Sequence, residues 1–173
     1  MPADVEGYRE YVTARMDPLR RTAYLLCGDW HTADDLVSTA LVKLLRHWRR
    51  VSRMDNPDAY VRRILLRAWL DERRRPWRRE QSREVVPDRP ADRAGPDGVA
   101  DRLTILALLA ELPPKRRAVL VLRYFCDLSV AETARELGCS EGTVKSQAAR
   151  AIEGLRARLV APSAGAEEAL QNG

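Results

Sequence analysis

The chain has 173 residues, with 30 Lys and Arg against 25 Asp and Glu, for a net charge of +5. That length fits one ordinary domain or two small ones, and 45% hydrophobic with 32% charged residues excludes a disordered or membrane-embedded chain. No apolar run approaches the ~18–20 residues of a membrane span, and the opening MPADVEGYREYV is polar and acidic, unlike a targeting peptide, so a cytoplasmic location is expected.

Tyr8 to Arg15 predicts a short first helix. Asp17-Pro18 offers an N-cap and a first-turn proline for a second, which runs to Cys27 and stops at Gly28. Thr32-Ala33-Asp34-Asp35 has capping-box spacing, with Asp where Glu or Gln is usual. The helix behind it carries Leu36, Thr39/Ala40, Val42/Lys43, Leu44 and His47/Trp48 at three-to-four spacing and ends near Arg50. Asn56-Pro57-Asp58 supplies a cap, a first-turn proline and an acidic first turn. The helix it opens runs from Ala59 to about Arg75, with Tyr60/Val61, Ile64/Leu65 and Ala68/Trp69 as its stripe, and Pro76 breaks it.

Glu80 to Gly98 holds three prolines and two glycines among charges, with no apolar period, and predicts an extended linker. Beyond it, Asp101 opens the helical LTILALLAEL, and Pro113-Pro114 separates that from KRRAVLVLRYF. The latter is β-branched enough to pass for a strand, but its bounding prolines and helical neighbours favour a helix. Ser129-Val130-Ala131-Glu132 is a capping box whose helix ends at Leu137-Gly138, and Ser140 can cap a last helix through about Leu159. The predicted fold is all-α: two small helical domains, 1–79 and 101–160, joined by a flexible linker over 80–100 and followed by a frayed tail over 161–173.

The charge is unevenly spread. Residues 41–80 carry +8, residues 101–160 carry +3, and the first forty carry −3. Two separate positive blocks point to a polyanion partner over part of the surface. Cys27, Cys126 and Cys139 are scattered, and His31 and His47 stand apart, so neither a metal nor a cofactor motif is present. The close carboxylate pair Asp34-Asp35 in the first domain is accounted for by helix capping, so an enzyme is not expected.

Residues 129–152 have the form of a helix-turn-helix. Ala134 is small where two helices would cross, and Gly138 can take the positive φ of the turn. Val130, Leu137, Val144, Ala148 and Ile152 are spaced to face a shared core. Thr143, Lys145, Ser146, Gln147 and Arg150 are left on the open side, and those residue types suit a major groove. In the first domain Arg62, Arg63, Arg67, Arg73, Arg74, Arg75, Arg78 and Arg79 interleave with Tyr60, Trp69 and Trp77. Guanidinium on phosphate and ring on base fits single-stranded or melted nucleic acid. Trp69 itself reads better as a core residue, whereas the Arg73–Arg79 run is denser than solubility requires.

Together LRRTAYLLCGDWHTADDLVSTALVKLLRHW, NPDAYVRRILLRAWLDERRR and LLAELPPKRRAVLVLRYFCDLSVAETARELGCSEGTVKSQAARAIEGLR, with a linker between them, resemble a small bacterial RNA polymerase sigma factor. The group is the extracytoplasmic-function (ECF) sigma factors of the sigma-70 superfamily, and within it the actinobacterial SigE-like family. The resemblance implies a region 2 domain before the linker and a region 4 domain after it. It implies promoter-specific initiation with core RNA polymerase, promoter DNA as ligand, no cofactor and no membrane.

Residue by residue, it places Asp34, Asp35, Leu36, Val37 and Leu41 on the β′ clamp helices, with Ser38 and Thr39 standing where the family usually has Gln-Glu. On that reading Leu36 is a docking contact whose loss spares the fold. Asn56, Tyr60, Arg62, Arg63, Arg67 and Arg74 fall on the −10 melting surface, with Arg67 where Asn is frequent. Thr143, Lys145, Ser146, Gln147 and Arg150 fall on the −35 reading helix, with Gln147 where Arg is common. The linker acids Glu84, Asp88, Asp92 and Asp97 suit a basic polymerase channel. The β flap and an anti-sigma factor are further implied partners, and the free domains are expected to fold onto each other or be held by that factor. Two rival readings are a stand-alone regulator, which would bind duplex tightly without polymerase, and a metal-dependent nucleic-acid enzyme.

Overall fold

A computed structural model describes residues 2–74 and 104–160. The predicted linker, the tail, the Arg75–Arg79 part of the basic run and the cap at Asp101 lie outside them. Three long helices form the first half: α1 (Pro2–Cys27), α2 (Trp30–Val51) and α3 (Pro57–Arg74). The second half has a helical stretch over 104–110 (α4), then α5 (Pro114–Leu120), which widens into a π-helical turn at Val121–Phe125. Helices α6 (Val130–Leu137) and α7 (Glu141–Val160) complete it. The described residues contain no strand.

Two expected boundaries are corrected. Tyr8–Arg15 and the segment from Pro18 to Cys27 are one rod, with Pro18 inside it. An interior proline removes a helix hydrogen bond and costs about 3 kcal/mol, so packing on both sides must keep the helix continuous across it. Before the proline, Tyr8 donates to the Leu41 carbonyl at 3.0 Å and Tyr11 to Asp58 at 2.6 Å, and both rings pack on Trp48. After it, Leu19, Ala23 and Leu26 are buried in the same core. Burial first, and then the bond to Asp58, pushes the Tyr11 hydroxyl well above its ordinary pKa.

The cap of α2 is Asp29, not Thr32. Its carboxylate accepts the amides of His31 and Thr32, and the Thr32 hydroxyl also donates to it, at 2.6 Å. Partial burial opposes the charge on Asp29, but these bonds outweigh it and lower its pKa. Gly28, at φ 78°, makes the sharp turn between α1 and this cap.

The other caps expected within the described residues are present. Asn56 accepts the Ala59 amide at 3.0 Å. Ser129 and Glu132 exchange both bonds of a capping box, and Gly138 ends α6 at φ 66°. Ser140 accepts the Thr143 amide at 3.1 Å. KRRAVLVLRYF is helical rather than a strand. The π turn, closed by the Cys126 amide on the Val121 carbonyl, leaves Val121 and Leu122 buried while Tyr124 and Phe125 project outward.

The two halves pack against each other. Ala118, Val121, Leu122 and Leu128 of the second half belong to the same buried cluster as Leu26, Leu65 and Trp69 of the first. Arg117 turns inward as well: its Nε donates to the Leu25 carbonyl at 2.7 Å, plugging the C-terminal end of α1. A cation there suits the helix dipole. Burial nevertheless lowers its pKa to about 10, Arg73 adds to the depression, and its Nη2 has no hydrogen-bond partner.

Candidate nucleic-acid interface

Helix α7 stands on α5 and α6 through Val144 and Ala148, which are buried beside Ala134 and Val119. Half-buried Val130 and Leu137 pack against that cluster, and Ile152 packs on a neighbouring one with Ala151. The turn geometry is that of a helix-turn-helix, with the cap at Ser140 starting α7 directly after the left-handed Gly138.

Of the five predicted reading residues, Thr143, Lys145, Ser146 and Arg150 are exposed. Lys145 and Arg150 have no partner among the described residues. Thr143 and Ser146 also serve the helix itself, Thr143 through the Ser140 hydroxyl and Ser146 through the Thr143 carbonyl. Gln147 departs from the expected open position. It is half-buried, and its amide oxygen accepts Arg116 Nε at 3.0 Å. Arg116 therefore joins this face. The KRR run at 115–117 was its only signal, and sequence could not say that Arg116 turns toward α7 while Arg117 turns inward.

Helix α3 carries the second basic face. Asn56 is engaged as the cap. Tyr60 is half-buried under the Arg50 guanidinium. Trp69 is 2% exposed, as its core reading required. Arg67 and Arg74 are exposed, Arg63 is half-buried, and Arg63 Nε is fully enclosed without a hydrogen-bond partner. Arg62 is not free: its Nε and Nη2 fork onto Glu136 of α6, the shortest contact being 2.7 Å, across 74 residues of chain. Burial disfavours the Arg62 charge, but the bond to Glu136 more than compensates and raises its pKa. Arg63, Arg67 and Arg135 line a cavity of about 120 Å³ beside this pair.

Helix α2 corrects the docking assignment. Leu36 and Val37 are 2% and 3% exposed, members of the core with Ala40, Leu44 and Trp48, and cannot present themselves to a partner. Leu41 is half-buried under Tyr8. Asp34 is exposed and held by Arg20 at 2.6 Å, and Asp35 is exposed near His31. The free apolar surface is instead Val42 and Leu45, each about half exposed, flanked by Ser38 and Arg46. An i, i+4, i+7 stripe on the outer side is the signal the docking motif obscured.

The three cysteines are free and half-buried, and burial pushes the Cys27 thiol up to about 11. Among the described residues no three His, Cys, Asp or Glu side chains gather to hold a metal ion, and no helix is long and apolar enough to cross a membrane.

Residues 11–79 match the family Sigma-70 region 2, and residues 102–155 match Sigma-70, region 4. The RNA polymerase sigma-E factor of Streptomyces coelicolor is 39% identical over 162 residues, which cover 91% of this chain and 89% of the relative. The chain is an ECF sigma factor. SigL of Mycobacterium tuberculosis, also an ECF RNA polymerase sigma factor, is 32% identical over 145 residues, 82% of each chain. In fold the sigma factor resembles RpoE of Bartonella quintana, solved with the anti-sigma factor NepR, at TM-score 0.72 and 24% identity over 89% of this chain and 97% of that one. It also resembles CnrH, solved with the cytosolic domain of CnrY, at TM-score 0.62 and 23% identity over 89% and 88%. A sigma factor directs promoter-specific transcription initiation by RNA polymerase and is not an enzyme; one basic face lies in region 2 and the other in region 4.

Proposed function

We propose that region 4 reads −35 duplex with Lys145 and Arg150 of α7, aided by Thr143, Ser146 and the Arg116–Gln147 pair. Region 2 melts and holds the −10 element with the arginines of α3, next to Asn56 and Tyr60. Flipping a base out of the stack costs a few kcal/mol, and neutralised phosphates with pocket contacts offset it. The observation that carries this reading is a cationic face on each domain of an ECF sigma factor, Lys145 and Arg150 exposed on α7 and Arg67 and Arg74 exposed on α3. Core polymerase is engaged through Asp35, Ser38, Val42 and Leu45 on the outer side of α2, facing the β′ clamp helices, while region 4 meets the β flap.

Each face alone binds DNA modestly. Polymerase fixes their separation, and effective concentration converts two weak contacts into one specific complex. The division into 1–79, 80–100, 101–160 and 161–173 belongs to this reading, with the linker acids in the polymerase channel. So do a cytoplasmic site of action and control by an anti-sigma factor, a partner with which the structural relative RpoE was solved.

Transcription in vitro with core polymerase tests it. Addition of the protein is expected to start transcripts from discrete upstream sequences that core alone ignores. Leu45→Asp is expected to abolish that activity and co-purification with β′ at unchanged thermal stability, because Leu45 is exposed. Retained activity moves the docking surface elsewhere. Tight sequence-specific duplex binding by the isolated protein, without promoter-dependent initiation, would favour a stand-alone regulator.

A further inference from the structure

Glu136 takes no part in capping α6 or in the reading face of α7. Its side chain is 3% exposed, and both carboxylate oxygens are turned to Arg62, itself 17% exposed. A guanidinium fork closing on two oxygens is the geometry by which arginine takes a phosphate. The surroundings are cationic: Arg63, Arg67 and Arg135 line the adjoining cavity, and Glu136 is the one carboxylate lining it. The other acids near these cations sit apart, Asp58 between Tyr11 and Arg15, and Glu132 in its capping box.

We propose that Glu136 is a built-in stand-in for a nucleic-acid phosphate. It occupies Arg62 while the two domains are closed, and a single DNA strand must displace it to use the α3 arginines. The proposal rests on the −10 assignment of α3 given above.

The energetics suit a reversible latch. Burying both charges removes most of what their attraction contributes, so the pair orients the seam more than it stabilises it. Arg63 Nε is enclosed without a partner and Arg117 carries a half-satisfied buried charge, so closure leaves cationic groups that a polyanion would satisfy. A strand brings many phosphates at once and gains from the counterions released. Glu136 brings one carboxylate, but at the effective concentration of a tethered group. Free protein therefore hides Arg62, and the same residue becomes available when polymerase and DNA hold the domains apart.

The test is fluorescence anisotropy on the full chain with a labelled single strand of mixed sequence, about 20 nucleotides long, at fixed salt. Glu136→Gln keeps the shape and one acceptor but loses the charge. It is expected to tighten strand binding about five- to tenfold, the scale of one ordinary net hydrogen bond, since Gln keeps an acceptor for Arg62. Arg62→Gln/Glu136→Gln is expected to lose that gain, because the competition acts through Arg62. Glu136→Asp, one methylene shorter, cannot fork onto both nitrogens and is expected to fall between wild type and Gln, so it serves should the Gln variant fail to fold. Binding equal to or weaker than wild type in the folded Glu136 variants overturns the proposal and leaves the residue a structural role. Arg67→Gln reports on the parent reading separately, since Arg67 is exposed and has no partner among the described residues. If it weakens binding while the Glu136 variants do not tighten it, the −10 assignment stands and the latch falls. If it leaves binding unchanged, α3 is not the DNA surface and both readings fall.

Discussion

Helices α3 and α7 both carry the cationic side chains that sequence marks for DNA, and the fold leaves them in opposite states. On α7, Lys145 and Arg150 stand exposed and unpaired among the described residues. On α3, Arg62 is forked onto Glu136, Arg63 Nε is enclosed, and Arg67 faces a cavity shared with the second domain. The face proposed to read duplex is open in the free protein, while the face proposed to hold the strand is partly covered by region 4. Charge in a sequence is a necessary condition for a DNA surface, but availability is decided by packing partners far away in the chain.

The largest effect is expected where the two regions are joined. Leu122 is fully buried in the cluster shared with Leu26, Leu65 and Trp69. Leu122→Ala should destabilise the folded chain by about 2–5 kcal/mol, the range for a buried Leu truncated in a packed core. Urea unfolding followed by circular dichroism checks it, and the wild type should unfold in one transition because the core is continuous. Two separate transitions in the wild type would mean that the seam does not couple the domains, and the covered state of α3 would then be a weak one.

What sequence made legible follows the reach of the forces involved. The caps at Asn56, Ser129 and Ser140 and the left-handed Gly138 are fixed within three or four residues, so spacing alone found them. The stripes of α2 and α3 are a helical period: Leu36, Ala40, Leu44 and Trp48, with Val61, Leu65 and Trp69, are buried as it predicts, but Val42 and Lys43 on the same stripe are exposed and Val37 off it is buried. Leu36 lies on that buried stripe, so the docking role that the family resemblance implies for it conflicts with its own period. Pro18 suggests a helix start because its local penalty is real, but contacts before it with Trp48, Leu41 and Asp58, distant in sequence, and the core around Leu19, Ala23 and Leu26 after it hold α1 together. Asp29 out-competed Thr32 because two amides and a hydroxyl converge on one carboxylate, a choice between adjacent caps that composition does not decide. Gln147 on Arg116, Arg117 under α1 and Glu136 on Arg62 are all contacts across at least 31 residues, and no periodic pattern encodes them.

A smaller effect should sharpen the contrast from the open side. Lys145→Ala and Arg150→Ala are each expected to weaken binding of −35 duplex by about 1–3 kcal/mol. Neither should change the melting temperature, because both side chains are exposed and unpaired among the described residues. Gel shift of the free protein is the right measurement, since this face needs no opening. A phosphate contact would lower affinity on all duplexes alike and reduce the salt slope, whereas a base contact would relax preference at one position. Unchanged binding in the double variant would remove α7 from the reading surface and leave both faces without an open member.

The smallest effect is expected in α6, the element that serves both faces. Its inner side presents Glu136 to α3, and its end at Gly138 sets the direction in which α7 leaves. Ser129 holds the start of this eight-residue helix by accepting the Glu132 amide, while Glu132 accepts the Ser129 amide at 2.7 Å, a bond that lowers the carboxyl's pKa. Ser129→Ala removes one half of the box and should cost about 0.5–2 kcal/mol of stability. Because Ser129 touches neither the Glu136 pair nor the exposed α7 residues, a cap with only a local role would lower the melting temperature alone. A helix that positions both faces predicts more: loosening α6 should weaken duplex binding by α7 while strengthening single-strand binding by α3, as Glu136 loses its hold. Opposite shifts in the two assays, from one hydroxyl in neither surface, would tie the open and the covered face to the same helix. Parallel shifts would mean that the two states are set independently.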